Sequence, residues 1–509
     1  MLKWISRTNS SKHSHRKKSN DQEIKKSSRD NLRILKEAFV DTPDVIMSSW
    51  NVGNNSSQNC LLIYVSGIVD MNQLNEHVIK PLHALKVNTN IDINSLKNII
   101  NIPNTNVIKT FRDIYKEISD GHPVLIMDSN STALSLELSK WQTRSIEEPS
   151  SETVIRGPKE SFNESLDTNV SLIRKRIRIP KLKIKKIYMG AYSRTPIAIT
   201  FVEGIVDPSL VNEIIKRIRN VSVDSLFDSG TLQECIQDSK WSIFPTILST
   251  ERPDTTSAAL VEGRIAIIVD GSPHALILPS TFFMFFSTPD DYYSGFIVGT
   301  ILRVLRLFYA LIAQFGPSIY VAITTFHQEM IPTTLLVSIT RAREQVPFPS
   351  VFEAVIMEIT FEALREASVH LPRPVGPAIS IVGALVIGQA AIQASLVSPL
   401  MVIVVAITAI ASFMIPHYEL ANAIRLLRFP IIIFASLCGL LGIIFSFITI
   451  LIHLCTLRSF GVPYTEPLTP FKKSSMMDSL IRGPVWKIQK HRRFTEKNGM
   501  KRERRHKGR

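Results

Sequence analysis

The segment 350–369, SVFEAVIMEITFEALREASV, holds the side chains of this sequence that are best suited to attract ions. In a helix with 100° per residue, Glu358, Glu362 and Glu366 fall within about 100° of arc, and apolar residues occupy the other faces. A charge at the centre of a bilayer costs roughly 3 kcal/mol on insertion scales. We therefore expect an amphipathic helix that lies at a membrane surface or lines water.

Two interpretations of this helix stay open. In the first, it is an interfacial helix that carries an ion pair between Glu362 and Arg365. In the second, an oligomer brings Glu358, Glu362 and Glu366 of several copies into a carboxylate ring. Such a ring concentrates cations at the mouth of a pore.

The segment 375–397 carries two stripes of residues at helical spacing. One stripe consists of small residues that let helix backbones approach closely, Ala384, Gly388, Ala391 and Ser395. The other stripe, which is the candidate pore lining, consists of Val382, Val386, Gln389 and Gln393. Two glutamines in an apolar helix need hydrogen-bond partners or water. The pattern indicates either interhelical hydrogen bonds in a packed bundle or a pore helix, in which Val386 forms a hydrophobic constriction and the glutamines face water.

No motif of an enzyme is present. The sequence contains no GxxxxGK[ST] loop, no GxGxxG fingerprint, no HExxH pair and no GxSxG elbow, and its twelve histidines do not cluster with carboxylates. The four cysteines show neither paired nor metal-ligand spacing, which is compatible with a reducing compartment. We therefore predict no catalytic residues, no cofactor and no metal.

The net charge of +15 lies at the two ends of the chain. Residues 1–36 carry +8 and residues 472–509 carry +11, which leaves −4 for the body between them. A mildly acidic body is not a groove that follows phosphates, so we predict membrane lipids and no nucleic acid as partners. We expect a basic disordered tail at 1–30 and a second basic tail at 472–509.

The elements that must position these residues are apolar helices. Nearly all long stretches without Asp, Glu, Lys or Arg lie after residue 300, and those at 307–326, 375–416 and 429–457 each reach the roughly 20 residues that a helix needs to cross about 30 Å of hydrocarbon. Ser398-Pro399 divides the longest stretch into a helical hairpin. We predict an all-α membrane domain at 281–471, with an amphipathic helix at 350–369 and four spans at about 304–326, 375–397, 399–416 and 429–457.

Four spans put both termini on one side of the membrane. Arg303 and Arg306 before the first span, together with Arg458 after the last, place that side in the cytoplasm by the positive-inside rule. Arg425 and Arg428 then lie outside, against the rule.

The region before the membrane domain contains an internal repeat. GIVD at 67–70 recurs 137 positions later, and six residues within 121–136 recur 142 positions later. The same order with a slip of five residues predicts two copies of one α/β module, at 31–140 and 181–280. A linker with a basic helix is expected at 141–180. The fold class is thus an α/β soluble region of two repeated modules followed by a multi-spanning helical membrane domain.

Seven segments of the chain closely resemble the A subunit of GerA-type spore germinant receptors. They are RGPKESFNESLDTNVSLIRKRIR (156–178), DDYYSGF (290–296), FHQEMIPTTLL (326–336), VPFPSVFEAVIMEITFEALREASVHLPRPVG (346–376), GALVIGQAAIQASLVSPLMVIVVAITAIASF (383–413), RLLRFP (425–430) and HLCTLRSFGVPYTEP (453–467). The resemblance covers about 150–470.

This resemblance implies an endospore-forming bacterium and the inner membrane of its dormant spore. It implies a receptor complex with a multi-spanning, transporter-like B subunit, which is thought to bind the nutrient, and with a lipoprotein C subunit. It also implies a homo-oligomer, understood to be a pentamer, that acts as a nutrient-gated channel for monovalent cations.

Our leading hypothesis is a nutrient-gated cation channel subunit without enzymatic activity, with its soluble modules and both termini in the cytoplasm. A non-conducting scaffold for the transporter-like partner is one alternative. A secondary transporter is another, and it is weakened because the repeat lies in the soluble region and not in the spans.

Overall fold

The computed structural model describes residues 22–52, 58–85, 92–140, 149, 152–370, 376–471, 479 and 481–484. Two α/β modules come first and a helical domain follows, as the sequence predicts. Folded structure begins before residue 31, where the sequence predicts the first module to start, since Ile24 is already buried in that module. The predicted tail at 1–30 therefore includes folded residues, and its part before residue 22 lies outside the described residues.

The first module is a five-stranded antiparallel sheet with helices on both faces. Its strands pair in the order β1-β2-β4-β5-β3. They are β1 Val45–Asn51, β2 Asn59–Val65, β3 Thr105–Ile108, β4 Val124–Met127 and β5 Ala133–Leu136. The helices are α1 Ser28–Ala38, then α2 Met71–Leu74, the π-helix Asn75–Ile79 and α3 Lys80–Ala84 in one continuous run, then α4 Ile93–Ile99 and α5 Phe111–Ser119. Because helices cover both faces, strands β2 and β4 are apolar and buried along most of their length.

The second module has the same architecture. Its strands pair in the order β6-β7-β9-β10-β8, which reproduces the topology of the first sheet. They are β6 Leu182–Met189, β7 Thr195–Val202, β8 Leu248–Thr250, β9 Ile265–Val269 and β10 Ala275–Leu278. The helices are α6 Leu166–Arg176, α7 Pro208–Asn220, α8 Ser229–Ile236 and α9 Pro253–Val261. The shared strand order confirms the predicted repeat.

Matching glycines hold the two backbones in the same conformation. Gly67 and Gly204 have φ angles of 81° and 85°, and Gly121 and Gly263 have φ angles of 87° and 92°. These left-handed values favour glycine, because a Cβ would clash with the neighbouring carbonyl. The offsets of 137 and 142 seen in the sequence therefore mark turns that both copies need.

The basic helix that the sequence assigned to a linker at 141–180 is α6, the opening helix of the second module. In the equivalent α1, buried Asn31 accepts a hydrogen bond from the backbone N–H of Lys25 at 3.0 Å and donates one to its carbonyl. Asn169 of α6, also buried, makes the same two bonds with Asn163. The linker prediction was wrong because the last turn of α6 is basic although most of the helix is buried.

One of those basic residues joins the modules. Arg174 is buried and pairs with Asp44 of the first module at an N–O distance of 2.7 Å. Beside it, the buried ammonium group of Lys183 donates to the carbonyl of Ala38 at 2.9 Å. The two modules are therefore connected through an interface that contains a desolvated ion pair.

The helical domain follows the second module directly. The 3-10 helix Phe282–Phe286 and α10 Pro289–Tyr293 lead into it. Its helices are α11 Phe296–Phe326, the 3-10 turn Gln328–Met330, α12 Thr333–Glu344, α13 Ser350–Val369, α14 Gly376–Gln393, α15 Pro399–Phe413, α16 Tyr418–Cys438 and α17 Leu440–Thr456. Within the described residues, α11 and α16 are long and apolar enough to cross a membrane, whereas α15 and α17 are apolar but shorter.

The segment 429–457, predicted as one span, is two helices. The chain breaks between α16 and α17 at Gly439, whose φ angle is 60°. A Cβ on Gly442 would lie 2.1 Å from the carbonyl oxygen of Phe434, so the two helices approach each other closely at the turn. The single-span prediction was wrong because counting charges does not detect a helix that ends at a left-handed glycine.

After α17 the chain returns to the second module. There β11 Arg458–Ser459 and β12 Val462–Pro463 form a small return hairpin. The Ser459 hydroxyl donates to the carbonyl of Thr246 at 2.6 Å, and Phe460 is buried in the core of the module. Arg482, which belongs to the predicted C-terminal tail, is also buried near the start of α11. Most of that tail lies outside the described residues.

Candidate functional site

The predicted carboxylates lie on α13, at the centre of the helical domain. The helix has the predicted bounds, 350–369, and begins directly after Pro349. It packs against α11, α15 and α16, where Ala354 and Met357 are buried. One face of α13 is therefore inside the domain, where cations from neighbouring helices match its charges, and the other face is exposed.

Glu358 is buried in an ion pair that joins three helices. Its side chain is 3% exposed, and it accepts a hydrogen bond from Nη1 of Arg428 on α16. The Nε of Arg428 donates to the carbonyl of Ala313 on α11 at 2.8 Å. Removing one member of a buried pair leaves the other charge without a partner, which typically costs about 3–5 kcal/mol. This pair therefore fixes α13 relative to α11 and α16.

Glu362 and Glu366 lie closer to solvent. The side chain of Glu362 is 38% exposed, pairs with Arg365, and lies 3.7 Å from Nε of Arg425. Glu366 is 60% exposed and lies 3.4 Å from His370. Of the three predicted carboxylates, these two reach the surface of a single chain and Glu358 does not.

Arg425 and Arg428 are functional candidates that the sequence did not single out. Both lie within α16 and are buried against the glutamates of α13. An arginine that is paired inside a helical domain does not report the side of a membrane, so the predicted topology stays a prediction. The sequence contains one signal for this pairing. Arg425 and Arg428 are three positions apart and Glu358 and Glu362 are four positions apart, and both spacings put two charges on one face of a helix.

Glu353 is a further buried carboxylate that the sequence did not single out. Its Oε2 accepts a hydrogen bond from the backbone N–H of Ser398 at 2.8 Å, where α15 begins. The Tyr320 hydroxyl of α11 lies 3.4 Å from the Ser398 hydroxyl. A carboxylate at a helix N-terminus is stabilised by the helix dipole and the free N–H groups. Ser398-Pro399 is the signal for this site, because that dipeptide is typical of a helix start.

The predicted pore helix α14 has one packed side and one open side. Gly388 is buried, and a Cβ there would lie 3.5 Å from Val402 of α15, while Ala391 is half-buried. Exposed side chains occupy the other side, Val386, Gln389 and Gln393. The side chains of the two remaining stripe residues, Val382 and Ala384, lie outside the described residues. In the single chain the described small residues thus face a neighbouring helix and the described residues of the other stripe are exposed, while the pore lining stays a prediction.

Ser395 does not belong to the helix that carries these stripes. The helix ends at Gln393, and Ser395 lies in a turn with a φ angle of 53°. Its backbone N–H donates to the carbonyl of Ile392 at 3.0 Å. The prediction of a span to residue 397 was wrong because the chain must leave the helical conformation before Pro399.

A second ionic cluster lies where the helical domain meets the second module. Nε of Arg303 and Nη1 of Arg306 donate to the carboxylate of Asp291 at 3.0 and 2.8 Å. Burial raises the pKa of Asp291. The hydrogen bond and the positive charge of Arg306 lower it by more than burial raises it, so this pKa lies below its ordinary value. The two arginines that the positive-inside rule counted before the first span are therefore engaged by a buried carboxylate.

Polar contacts connect the second module directly to α16 and α17. The amide of Gln233 on α8 donates to the Glu419 carboxylate at the start of α16, at 3.2 Å. The Ser242 hydroxyl lies 3.0 Å from Nε2 of His453, near the end of α17. A cavity of about 510 Å³ lies between α9, α10 and the end of α15 at the same junction. The second module therefore contacts the helix that carries Arg428.

Together these features define a class: a two-part protein in which a duplicated α/β region is attached to a helical domain with two helices of membrane-spanning length. From residue 33 to residue 494 the chain matches the family described as Bacillus/Clostridium GerA spore germination protein, and it belongs to that family. The resemblance noted in the sequence is thereby confirmed.

Two similar proteins are also spore germination proteins. Spore germination protein KA of Bacillus subtilis (strain 168) is 43% identical over 463 residues, which cover 90% of this chain and 85% of the relative. Spore germination protein A1 of the same organism is 39% identical, over 91% of this chain and 95% of the relative. A solved structure, the N-terminal domain of the A subunit of the Bacillus megaterium spore germinant receptor GerK3, is 28% identical with a TM-score of 0.42, over 52% of this chain and 98% of that one.

Proposed function

We propose that this chain is the A subunit of a nutrient germinant receptor and forms an oligomeric, nutrient-gated cation channel that triggers spore germination. The observation that carries the proposal is the exposure of Gln389 and Gln393 on α14, in a helical domain with many exposed apolar side chains. Hydrocarbon cannot satisfy the amide groups of glutamine, so this stripe requires water or another copy of the chain.

A ring of copies, five in our proposal, meets this requirement. The side of α14 with Gly388 packs within the subunit, and the open stripe faces the central axis. Val386 forms the constriction that closes the pore by dewetting. Glu362 and Glu366 supply the carboxylate ring, and Glu358 adds its charge to the ring when Arg428 moves away.

The contacts within the chain supply a route for gating. In our proposal a transporter-like B subunit binds the nutrient, a lipoprotein C subunit completes the receptor, and the second module passes the change to α16. Arg428 of α16 holds Glu358 of α13. A Cβ on Gly383 of α14 would lie 3.2 Å from Leu364 of α13, so those two helices are also in close contact. The route thus runs through α16 and α13 to the pore helix.

The proposal places the helical domain in the inner membrane of the spore. Two helices of 31 and 21 residues support insertion, since about 20 residues are needed to span the hydrocarbon layer. Both modules and both termini are cytoplasmic in this arrangement.

Single-channel recording of the purified chain in planar bilayers tests the proposal. We expect stepwise cation conductance, and we expect Val386→Ala and Val386→Ser to raise the open probability without nutrient. The adjacent Ile387→Val is the matched control and leaves the open probability unchanged. Replacing Glu362 and Glu366 with Gln lowers the preference for cations. A silent bilayer with the wild type and with both Val386 variants would falsify the channel.

A non-conducting scaffold for the transporter-like partner is the second candidate. It is favoured by the buried carboxylates of Glu353 and Glu358, which are engaged by neighbouring helices as in a packed core. A scaffold passes no current, and a secondary transporter gives slow flux coupled to its substrate without single-channel steps.

A further inference from the structure

One loop of the second module presents an apolar surface to solvent. Trp241 is 99% exposed, and Ile243 and Lys240 beside it are also exposed. Tryptophan has a large apolar ring with one polar N–H, and it is seldom left fully in water without a partner surface. This interface loop, residues 240–243, therefore needs an explanation that the fold of the module does not supply.

The interface loop is fixed at the end of α17. Ser242 is hydrogen-bonded to His453, as described above, and the ring of Phe244 lies 6.0 Å from the imidazole ring of His453. Phe244 is buried in the same apolar cluster as Leu454 and Leu457. The position of Trp241 relative to the helix is therefore set by the contacts of Ser242 and Phe244, which follow it in the chain.

The surface of α17 that leads to this loop is apolar and exposed. Its exposed large side chains are Leu441, Ile444, Phe445, Phe447, Ile448, Leu451 and Ile452. Such a face is covered by hydrocarbon when the helical domain is inserted in a bilayer. The end of α17, with His453 and the interface loop, then lies at the depth of the lipid headgroups.

We propose that the interface loop inserts into the headgroup layer of the bilayer, with Trp241 and Ile243 at the boundary of the hydrocarbon and Lys240 on anionic phosphate groups. Tryptophan is enriched at this depth because its ring prefers the interface, and lysine reaches outward from it. The second module is then a peripheral membrane element and not a freely hydrated domain. This inference rests on the membrane insertion contained in the proposed function.

Tryptophan fluorescence of the full chain in lipid nanodiscs tests the inference. The variant used retains Trp241 and carries Phe at the other four tryptophan positions, and the nanodiscs contain phosphatidylglycerol with bromine at a shallow or a deep acyl carbon. We expect loss of most of the emission with shallow bromine and a smaller loss with deep bromine. A matched variant that retains only Trp50, which is half-buried in the first module with its ring stacked on His83, keeps its emission in both lipids.

Two results overturn the inference. Emission from Trp241 that bromine does not change, and that aqueous iodide quenches, places the loop in water. Emission that neither quencher changes places the loop against another protein chain. Size-exclusion chromatography of the nanodiscs reports insertion of the chain separately, so failure of the proposed membrane insertion is distinguished from failure of the loop to reach the lipid.

Discussion

The two α/β modules share one frame but have different neighbours. Both have the same strand order, the same left-handed glycines and the same buried asparagine in the opening helix. The second module carries the helical domain through α8, the interface loop and the return hairpin. The first module is joined to the second through the pair of Asp44 and Arg174.

The difference shows which positions a duplicated module keeps and which it changes. Residues that set the backbone are matched, whereas residues on outer helix faces are not. Lys36 is exposed on α1, but Arg174 at the equivalent place on α6 is buried against Asp44. Gln233 of α8, which contacts Glu419, has Lys97 as its equivalent on α4. The contacts of each module with other parts of the chain therefore depend on the side chains on its helix surfaces and not on the strand order that the modules share.

The largest effect is expected from breaking the ion pair between the modules. Arg174→Ala leaves the Asp44 carboxylate buried without its cation, and we expect local stability to fall by about 3–5 kcal/mol. Hydrogen–deuterium exchange of peptides from α6 and β1 measures this opening free energy. Lys36→Ala, the equivalent change in the first module, is the control and should cost less than about 0.5 kcal/mol. Equal losses would show that the two helices do not differ as described.

The buried asparagines test the shared frame itself. Asn31→Ala and Asn169→Ala each remove two hydrogen bonds to the preceding backbone, and each should cost about 1–3 kcal/mol. Exchange rates in α1 and α6 should rise by similar factors. A large loss in one module beside a negligible loss in the other would contradict the equivalence of the two helices.

Asp128 and Asp270, whose carboxylates bind the start of α1 and of α6, should differ in how much they stabilise their modules. Asp128 accepts from the backbone N–H groups of Ser28 at 2.6 Å and Asn59 at 3.2 Å, whereas Asp270 accepts from that of Leu166 at 3.0 Å. We therefore expect Asp128→Asn to cost about 1–2 kcal/mol and Asp270→Asn to cost less. Thermal unfolding of the two variants at neutral pH measures the difference, and a larger loss for Asp270→Asn would refute it.

The Asp128 contribution should also depend on pH. Burial raises the pKa of Asp128, but the hydrogen bonds from Ser28 and Asn59 outweigh it, so the pKa in the folded chain lies below the ordinary value of 3.8. Stability from a lowered pKa is complete above the ordinary value and is lost as the pH falls through the folded value. The difference in the free energy of unfolding between wild type and Asp128→Asn should therefore become smaller in acid and stay constant from pH 5 upward.

The smallest effect concerns the contact that is specific to the second module. Gln233→Ala removes one hydrogen bond to the Glu419 carboxylate, and we expect a loss of about 1 kcal/mol in the opening free energy at the start of α16. Lys97→Ala in the first module should leave exchange in α16 unchanged. Unchanged exchange in both variants would remove Gln233 from the proposed gating route.

Sequence reasoning recovered the elements that carry a periodic or uncharged pattern. The order of an α/β region with two sheets before a helical region follows from local residue types and was predicted correctly; helix α13 spans Ser350–Val369 and α11 ends at Phe326. The break at Gly439 was missed, because one glycine in an apolar stretch has no effect on charge or hydropathy. The opening helix α6 was assigned to a linker, because basic residues that are buried look the same in sequence as basic residues in water.

The candidate site was predicted in part. The glutamates of α13 and the open stripe of α14 were identified from spacing, whereas their cations were not. Arg428 lies 70 residues after Glu358 in the chain, and only the packing of α16 against α13 brings the two together. Long-range ion pairs of this kind depend on tertiary structure, which spacing within one helix does not reveal.

The return hairpin has a consequence for the order in which the protein is made. Ser280 of the second module donates its backbone N–H to the Ser459 hydroxyl at 3.0 Å, and Phe460 completes the core of that module. A ribosome synthesises residues 458–464 only after it has synthesised every helix of the helical domain. The second module therefore reaches its finished fold only after the helical domain has been synthesised, and a chain that stops short of Ser459 leaves that module open to proteases.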